Sequence, residues 1–156
     1  MEIKIFNDDI ETLRPIVESW QENVQDNDFG IIADDIDKYL TELGNMVLRP
    51  DADLIVLYDE ETPFGYIGLN YFESPLGNQR MANEHFFFVI PEKRGLSSMR
   101  LIKNAKLLAK MKGCSKIIFN ASNLASELHD KLCRVYEKMG LKHFESSYIQ
   151  DLDDDI

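Results

Sequence analysis

Cysteine is scarce in this chain: Cys114 and Cys133 are the only two among 156 residues. They match no metal-ligand spacing and cannot build a disulfide framework, so they read as reduced, buried fillers of a cytoplasmic protein. Histidine is scarce too. His85, His129 and His143 are scattered with no partner at ligand spacing, so no metal site is expected. No stretch approaches the roughly 18 apolar residues of a membrane span. The opening Met-Glu-Ile-Lys-Ile-Phe lacks the charged and then apolar pattern of a signal peptide, and no membrane partner is expected. There is no internal repeat and no long linker. The length and an ordinary apolar content of 44% imply one domain over residues 1–150, followed by an acidic tail, 151–156, expected to be disordered.

Basic residues are missing from one half. Residues 1–62 hold 17 acids and 4 bases, residues 91–142 hold 12 bases and 4 acids, and residues 143–156 hold 5 acids and no base; the formal net charge is −11. The acidic half suits a cationic partner or is solvated surface. Duplex nucleic acid is not expected as a partner, because no basic stripe extends beyond two helices.

The periodicities predict a strand at 1–6 and a helix capped by Asp8 or Asp9 that runs to about Glu22, with Leu13, Ile16, Val17 and Trp20 on one face. A second helix, 34–43, is expected to stop at Gly44. Strands 53–58 and 64–72 read as a hairpin, and 74–82 as a flexible loop. Residues 83–90 are apolar enough for a central, buried strand. A helix at 98–112 ends at Gly113, 115–120 is another buried strand, 124–139 is a helix ending at Gly140, and 141–149 a last strand.

The most informative segment is Val-Ile-Pro-Glu-Lys-Arg-Gly-Leu-Ser-Ser-Met-Arg-Leu, residues 89–101. An apolar strand enters a tight loop with Arg94 and Gly95, and a helix opens at Ser97 or Ser98. Such a junction collects unpaired main-chain N–H groups and suits an anion such as a pyrophosphate.

With its strand order, this segment resembles the Gcn5-related N-acetyltransferase (GNAT) family. The family signature is a strand ending Val-x-Pro followed by Gln/Arg-x-x-Gly-x-Gly/Ala. Val89-Ile90-Pro91 and Arg94-Gly95-Leu96-Ser97-Ser98-Met99 stand in those places. A second element, Tyr-Glu-x-x-Gly-Phe, resembles Tyr136-Glu137-Lys138-Met139-Gly140-Leu141. Ser97, Met99 and Leu141 depart from the usual residues. The Arg-Gly-x-Ser loop is similar to variants in bacteriophage-encoded members. The resemblance covers about residues 50–150 well and the N-terminal helices in outline.

The resemblance implies an α/β fold with a mixed, mostly antiparallel sheet flanked by helices, of the acyl-CoA N-acyltransferase type, in the order β-α-α-β-β-β-α-β-α-β. It implies acetyl-CoA as co-substrate and direct acetyl transfer to a primary amine. A polyamine, a lysine side chain or a protein N-terminus would fit the acidic half. The diphosphate would meet the N–H groups of Gly95, Leu96, Ser97, Ser98, Met99 and Arg100, with charge from Arg94, Arg100 and Lys103. The pantetheine arm would pair with the strand edge at Phe87, Phe88 and Val89. Asn120, in preference to the helix-capping candidate Asn123, would touch that arm.

Glu84 is the leading base, since burial would raise its pKa. His85 and Glu73 remain alternatives. Tyr136 would be the acid that protonates the leaving sulfur, or else a helix-edge tyrosine packed on Leu132. A homodimer is left open. The rival class is a catalytically degenerate GNAT-fold binding or decoy protein that uses its acidic surface, with an antitoxin or virion component as a further alternative.

Overall fold

In the computed structural model, residues 1–124 and 129–152 are described. The chain divides into two compact units, residues 1–22 with 35–120 and residues 23–34 with 121–156. The order is β1 (Glu2–Ile5), a 3-10 turn (Ile10–Leu13), α1 (Arg14–Val24), α2 (Ile36–Leu48), β2 (Ala52–Asp59), β3 (Thr62–Glu73), β4 (Arg80–Val89), a 3-10 turn (Pro91–Lys93), α3 (Leu96–Met111), β5 (Lys116–Ile118) and α4 (His129–Lys138).

The first unit is an α/β sandwich on a five-stranded sheet in sequential order, β1-β2-β3-β4-β5. The first four strands pair antiparallel and β5 joins β4 in parallel. The central strands are apolar on both faces because both are covered. Leu54 and Val56 pack with Ile16, Val17, Leu40, Leu43 and Met46 on one side, while Ile55 and Leu57 pack with Leu101, Ala105 and Ala109 on the other. Gly65 permits this close packing. A Cβ there would stand 2.9 Å from Val89 Cγ2 and 3.1 Å from the Phe88 carbonyl oxygen.

Several sequence expectations need correction. Asp9 caps the 3-10 turn that leads into α1, accepting from Glu11 N. Gly44 does not end α2. Its backbone stays out of the left-handed region, and buried Met46 extends the apolar face of Leu40 and Leu43, so the helix runs to Leu48. Arg49, extended ahead of Pro50, ends it. The 74–82 loop is shorter than expected, because Arg80 already pairs with Glu73. The strand expected at 115–120 is only three residues long and half-buried or exposed, since Asn120 bonds side chains and carbonyls of β4 outside the ladder.

In the second unit, Asn27 organises its loop, donating to the carbonyls of Val24 and Ile31 at 2.8 and 2.7 Å. Gly140, at φ +85, follows α4 as expected, and Leu141 N closes back on the Tyr136 carbonyl at 3.0 Å. The start of the 124–139 helix lies partly outside the described residues, as does most of the expected tail disorder. No strand forms at 141–149. That segment is almost wholly exposed, and His143 Nε2 bonds the local Glu145 carbonyl and Ser146 hydroxyl in place of a partner strand. Among the described residues, no helix is long and apolar enough to cross a membrane.

Candidate functional site

β4 and β5 pair only at Met81, Ala82 and Asn83, which meet Lys116, Ile117 and Ile118. Beyond that point the two strands part, and β4 continues to Val89 with β3 alone. Ile90 N donates to the Phe64 carbonyl. By ladder alternation, Phe86 and Phe88 then turn their main-chain groups toward β3, and Phe87 and Val89 turn theirs into the gap. Among the described residues the fork therefore has an open edge at Phe87 and at the Val89 N–H, the Val89 carbonyl being taken by Arg94, and such an edge can accept an extended, amide-bearing chain.

The edge leads into α3. Gly95 is the N-cap residue at φ +101, a backbone conformation that disfavours any side chain. No side chain caps the first turn, and a Cβ built on Gly95 would meet nothing within 4 Å. The N–H groups that open α3 thus have no side-chain cap among the described residues, and the helix dipole adds positive potential there. Leu96 and Arg100 are exposed, whereas Ser97, Ser98 and Met99 are half-buried. Ser97 and Met99 both lie at helical positions, so neither needs the backbone freedom of the usual glycine. Arg94 lies between the two features, with Nε on the Val89 carbonyl at 2.9 Å. The fork edge and the uncapped helix start fit the arm and the diphosphate of acetyl-CoA.

Glu84 sits where the strands separate and is 6% exposed. Its Oε2 accepts from Asn120 Nδ2 at 2.9 Å and from Asn120 N at 3.3 Å. Burial pushes its pKa up to about 7, and the two Asn120 bonds pull against that rise. A β-bulge lies beside it. Leu69 pairs with Glu84 and Gly68 with Phe86, so His85 has no opposite residue and is exposed, its ring against Phe86. Glu73 is remote. It pairs with Arg80, four strand residues from Glu84 or about 13 Å. Asn120 contacts Glu84 itself, and Ser122, not Asn123, receives the Leu124 N–H. Tyr136 is buried in α4, within the second unit.

One feature was not legible as part of the site. Tyr39 and Tyr66 share a hydroxyl–hydroxyl hydrogen bond of 2.9 Å, and Tyr39 stacks between Trp20 and Phe86 at 4.3 and 5.3 Å. Burial raises the pKa of both phenols well above the usual value, and the nearby Glu84 charge adds to the rise at Tyr39. Helical spacing identifies Tyr39 as a core residue but does not reveal its hydroxyl partner. Among the described residues, no cluster of three or more His, Cys, Asp or Glu could hold a metal ion.

This arrangement, with its mixed sheet forked between β4 and β5 and a helix opening at the strand end, is the fold of the Gcn5-related N-acetyltransferases. No protein-family model matches the chain, and no curated protein matches its sequence. Among solved structures it is similar to a ribosomal-protein-alanine N-acetyltransferase from Brucella melitensis biovar Abortus 2308, at 16% identity and a TM-score of 0.72, covering 97% of this chain and 100% of the other. It is also similar to a GNAT family acetyltransferase of Staphylococcus aureus, at 17% identity and a TM-score of 0.66, with 97% and 98% covered. An aminoglycoside 6'-N-acetyltransferase from Acinetobacter haemolyticus matches at 14% identity and a TM-score of 0.69, with 99% and 100% covered. At these identities the likeness is one of fold.

Proposed function

We propose that this chain is an N-acetyltransferase that moves the acetyl group of acetyl-CoA to a primary amine by direct attack. The observation that carries the reading is Glu84, a buried carboxyl with a pKa near 7 at the mouth of an open strand edge. A free alkylamine titrates near 10.4, so at neutral pH it arrives as an ammonium and must lose a proton before it can attack. A base that titrates near the working pH is suited to take that proton.

In the proposed reaction, Phe87 and Val89 hold the pantetheine arm by main-chain bonds. The N–H groups of Gly95 through Ser98 hold the diphosphate, since the Met99 N–H is already spent on the Gly95 carbonyl at 3.2 Å, and Arg94 adds charge. Glu84 takes a proton from the ammonium, directly or through water, and the freed amine nitrogen attacks the thioester carbonyl carbon. The C–S bond then breaks, and the departing sulfur takes up the second proton that the nitrogen sheds as the amide forms. The products are an acetylated amine and coenzyme A.

The acidic first 62 residues favour a cationic acceptor. The similar structures are named for a ribosomal-protein alanine and for aminoglycosides, and both names fit an amine acceptor. The test is thiol release from acetyl-CoA with a panel of polyamines, aminoglycosides and peptides bearing lysine or a free N-terminus. Acceptor-dependent thiol release supports the reading. Tight acetyl-CoA binding without turnover on any amine would favour a binding module on the same scaffold. No acetyl-CoA binding at high micromolar concentration would contradict both the enzyme and the cofactor site.

A further inference from the structure

Asn120 makes contacts with β4 that a plain strand end would not make. Its Nδ2 donates to the Glu84 main-chain carbonyl at 2.7 Å and to Glu84 Oε2 at 2.9 Å, and reaches Asn83 Oδ1 at 3.4 Å. Its own main-chain N–H donates to the same Oε2 at 3.3 Å. One carboxylate oxygen is thus gripped twice, and the backbone behind it is gripped once. Glu84 Oε1 has no hydrogen-bond partner among the described residues, yet it is not among the fully enclosed polar atoms left without one. That oxygen therefore keeps a path to solvent.

We propose that Asn120 is a positioning residue for Glu84: it locks Oε2 and the Glu84 carbonyl, so that Oε1 alone is presented to the amine, and it bolts the end of β5 to β4 where the fork begins. This inference rests on the acetyltransferase reading for its chemistry, but the lock itself does not. It also gives Asn120 a different task from contact with the pantetheine arm. An amide side chain whose two N–H groups are directed at Glu84 and Asn83 has no donor left for a third partner.

The groups facing Glu84 leave Asn120 as its main source of stabilisation. From α2 comes Tyr39, a neutral phenol bonded to the neutral Tyr66 of β3. On β4 itself the neighbour His85 is exposed. Among the described residues, no lysine, arginine or histidine forms an ion pair with Glu84. A carboxylate without a cation depends on hydrogen-bond donors for its charge.

The test uses the full chain with carbonyl-labelled glutamate, followed by NMR as a function of pH, with Glu84→Gln identifying the signal. Asn120→Ala should raise the Glu84 titration midpoint by roughly one unit, the scale expected for losing a bond to a charged group. Asn120→Asp keeps the shape and sets a second carboxylate beside the first, so it should raise the midpoint further, and it serves if the alanine variant folds poorly. The acidic limb of kcat/KM should move the same way, with the acetyl-CoA dissociation constant changed by less than about twofold. An unchanged Glu84 midpoint in both variants overturns the proposal. So does a loss of acetyl-CoA affinity with the midpoint unmoved, which would return Asn120 to the pantetheine arm. If no amine is turned over at all, the enzyme reading fails while the NMR titration still decides the lock.

Discussion

Arg94 is tied to the strand that precedes it: Nε donates to the Val89 carbonyl at 2.9 Å, and the guanidinium lies 5.2 Å from the centre of the Phe88 ring. Burial pushes its pKa down, and no carboxylate pairs with it among the described residues. A partly desolvated cation with unused N–H groups favours an anion. Arg94→Met keeps the stem against Phe88 and removes the charge. It is expected to weaken acetyl-CoA binding about tenfold, or roughly 1.4 kcal/mol. Calorimetric titration at low and high salt checks this, with the larger difference at low salt.

Gly95→Ala separates backbone strain from crowding. The new methyl would meet nothing within 4 Å, so any cost comes from holding φ at +101. A loss of about 1–2 kcal/mol in folding stability is expected. Acetyl-CoA affinity should fall as well, because the first-turn N–H groups would be re-aimed. Urea unfolding and the same titration measure the two effects.

Glu84 predicts an unusual pH dependence of stability. Its folded pKa of about 7 exceeds the ordinary 4.5, so between those values the folded chain holds more protons than the unfolded chain. Stability therefore falls as pH rises through that window and levels off above it. Glu84→Gln still offers an oxygen to Asn120 but cannot ionise. Near pH 8 it should be more stable than the parent by roughly 2–3 kcal/mol, and the gain should fade toward pH 4.5. Turnover should fall by about 10²–10⁴-fold. Urea denaturation at both pH values, beside the thiol-release assay, reads both effects.

How much of this was legible in the sequence depended on the kind of signal. The apolar periodicity of α3 and the paired strands β2 and β3 came through because both faces of the sheet are covered. The loop around Gly95 came through because a positive φ there calls for glycine. The last strand did not: residues 141–149 form no strand, and the apolar residues Phe144, Tyr148 and Ile149 that suggested one stay exposed. The Asn120–Glu84 contact was also hidden. It joins residues 36 apart in sequence across a parallel pair, and no local pattern encodes that meeting. The bulge at His85 was hidden too, because a one-residue register shift depends on β3 as much as on β4.

The Tyr39–Tyr66 pair predicts non-additive behaviour. Tyr66 is fully buried, and Tyr39 supplies its hydroxyl partner. Tyr39→Phe alone leaves a buried hydroxyl without a bond and should cost about 1–3 kcal/mol. The double change to phenylalanine removes both hydroxyls and should recover most of that loss. A double-mutant cycle by urea unfolding checks the coupling.

The most direct measurement is a crystal structure of the full chain with acetyl-CoA. The account predicts the diphosphate within hydrogen-bond distance of the main-chain N–H groups of residues 95–98, the pantetheine arm along Phe87 and Val89, and the thioester beside Glu84. A coenzyme seated elsewhere, or crystals that take up none at saturating concentration, would contradict it.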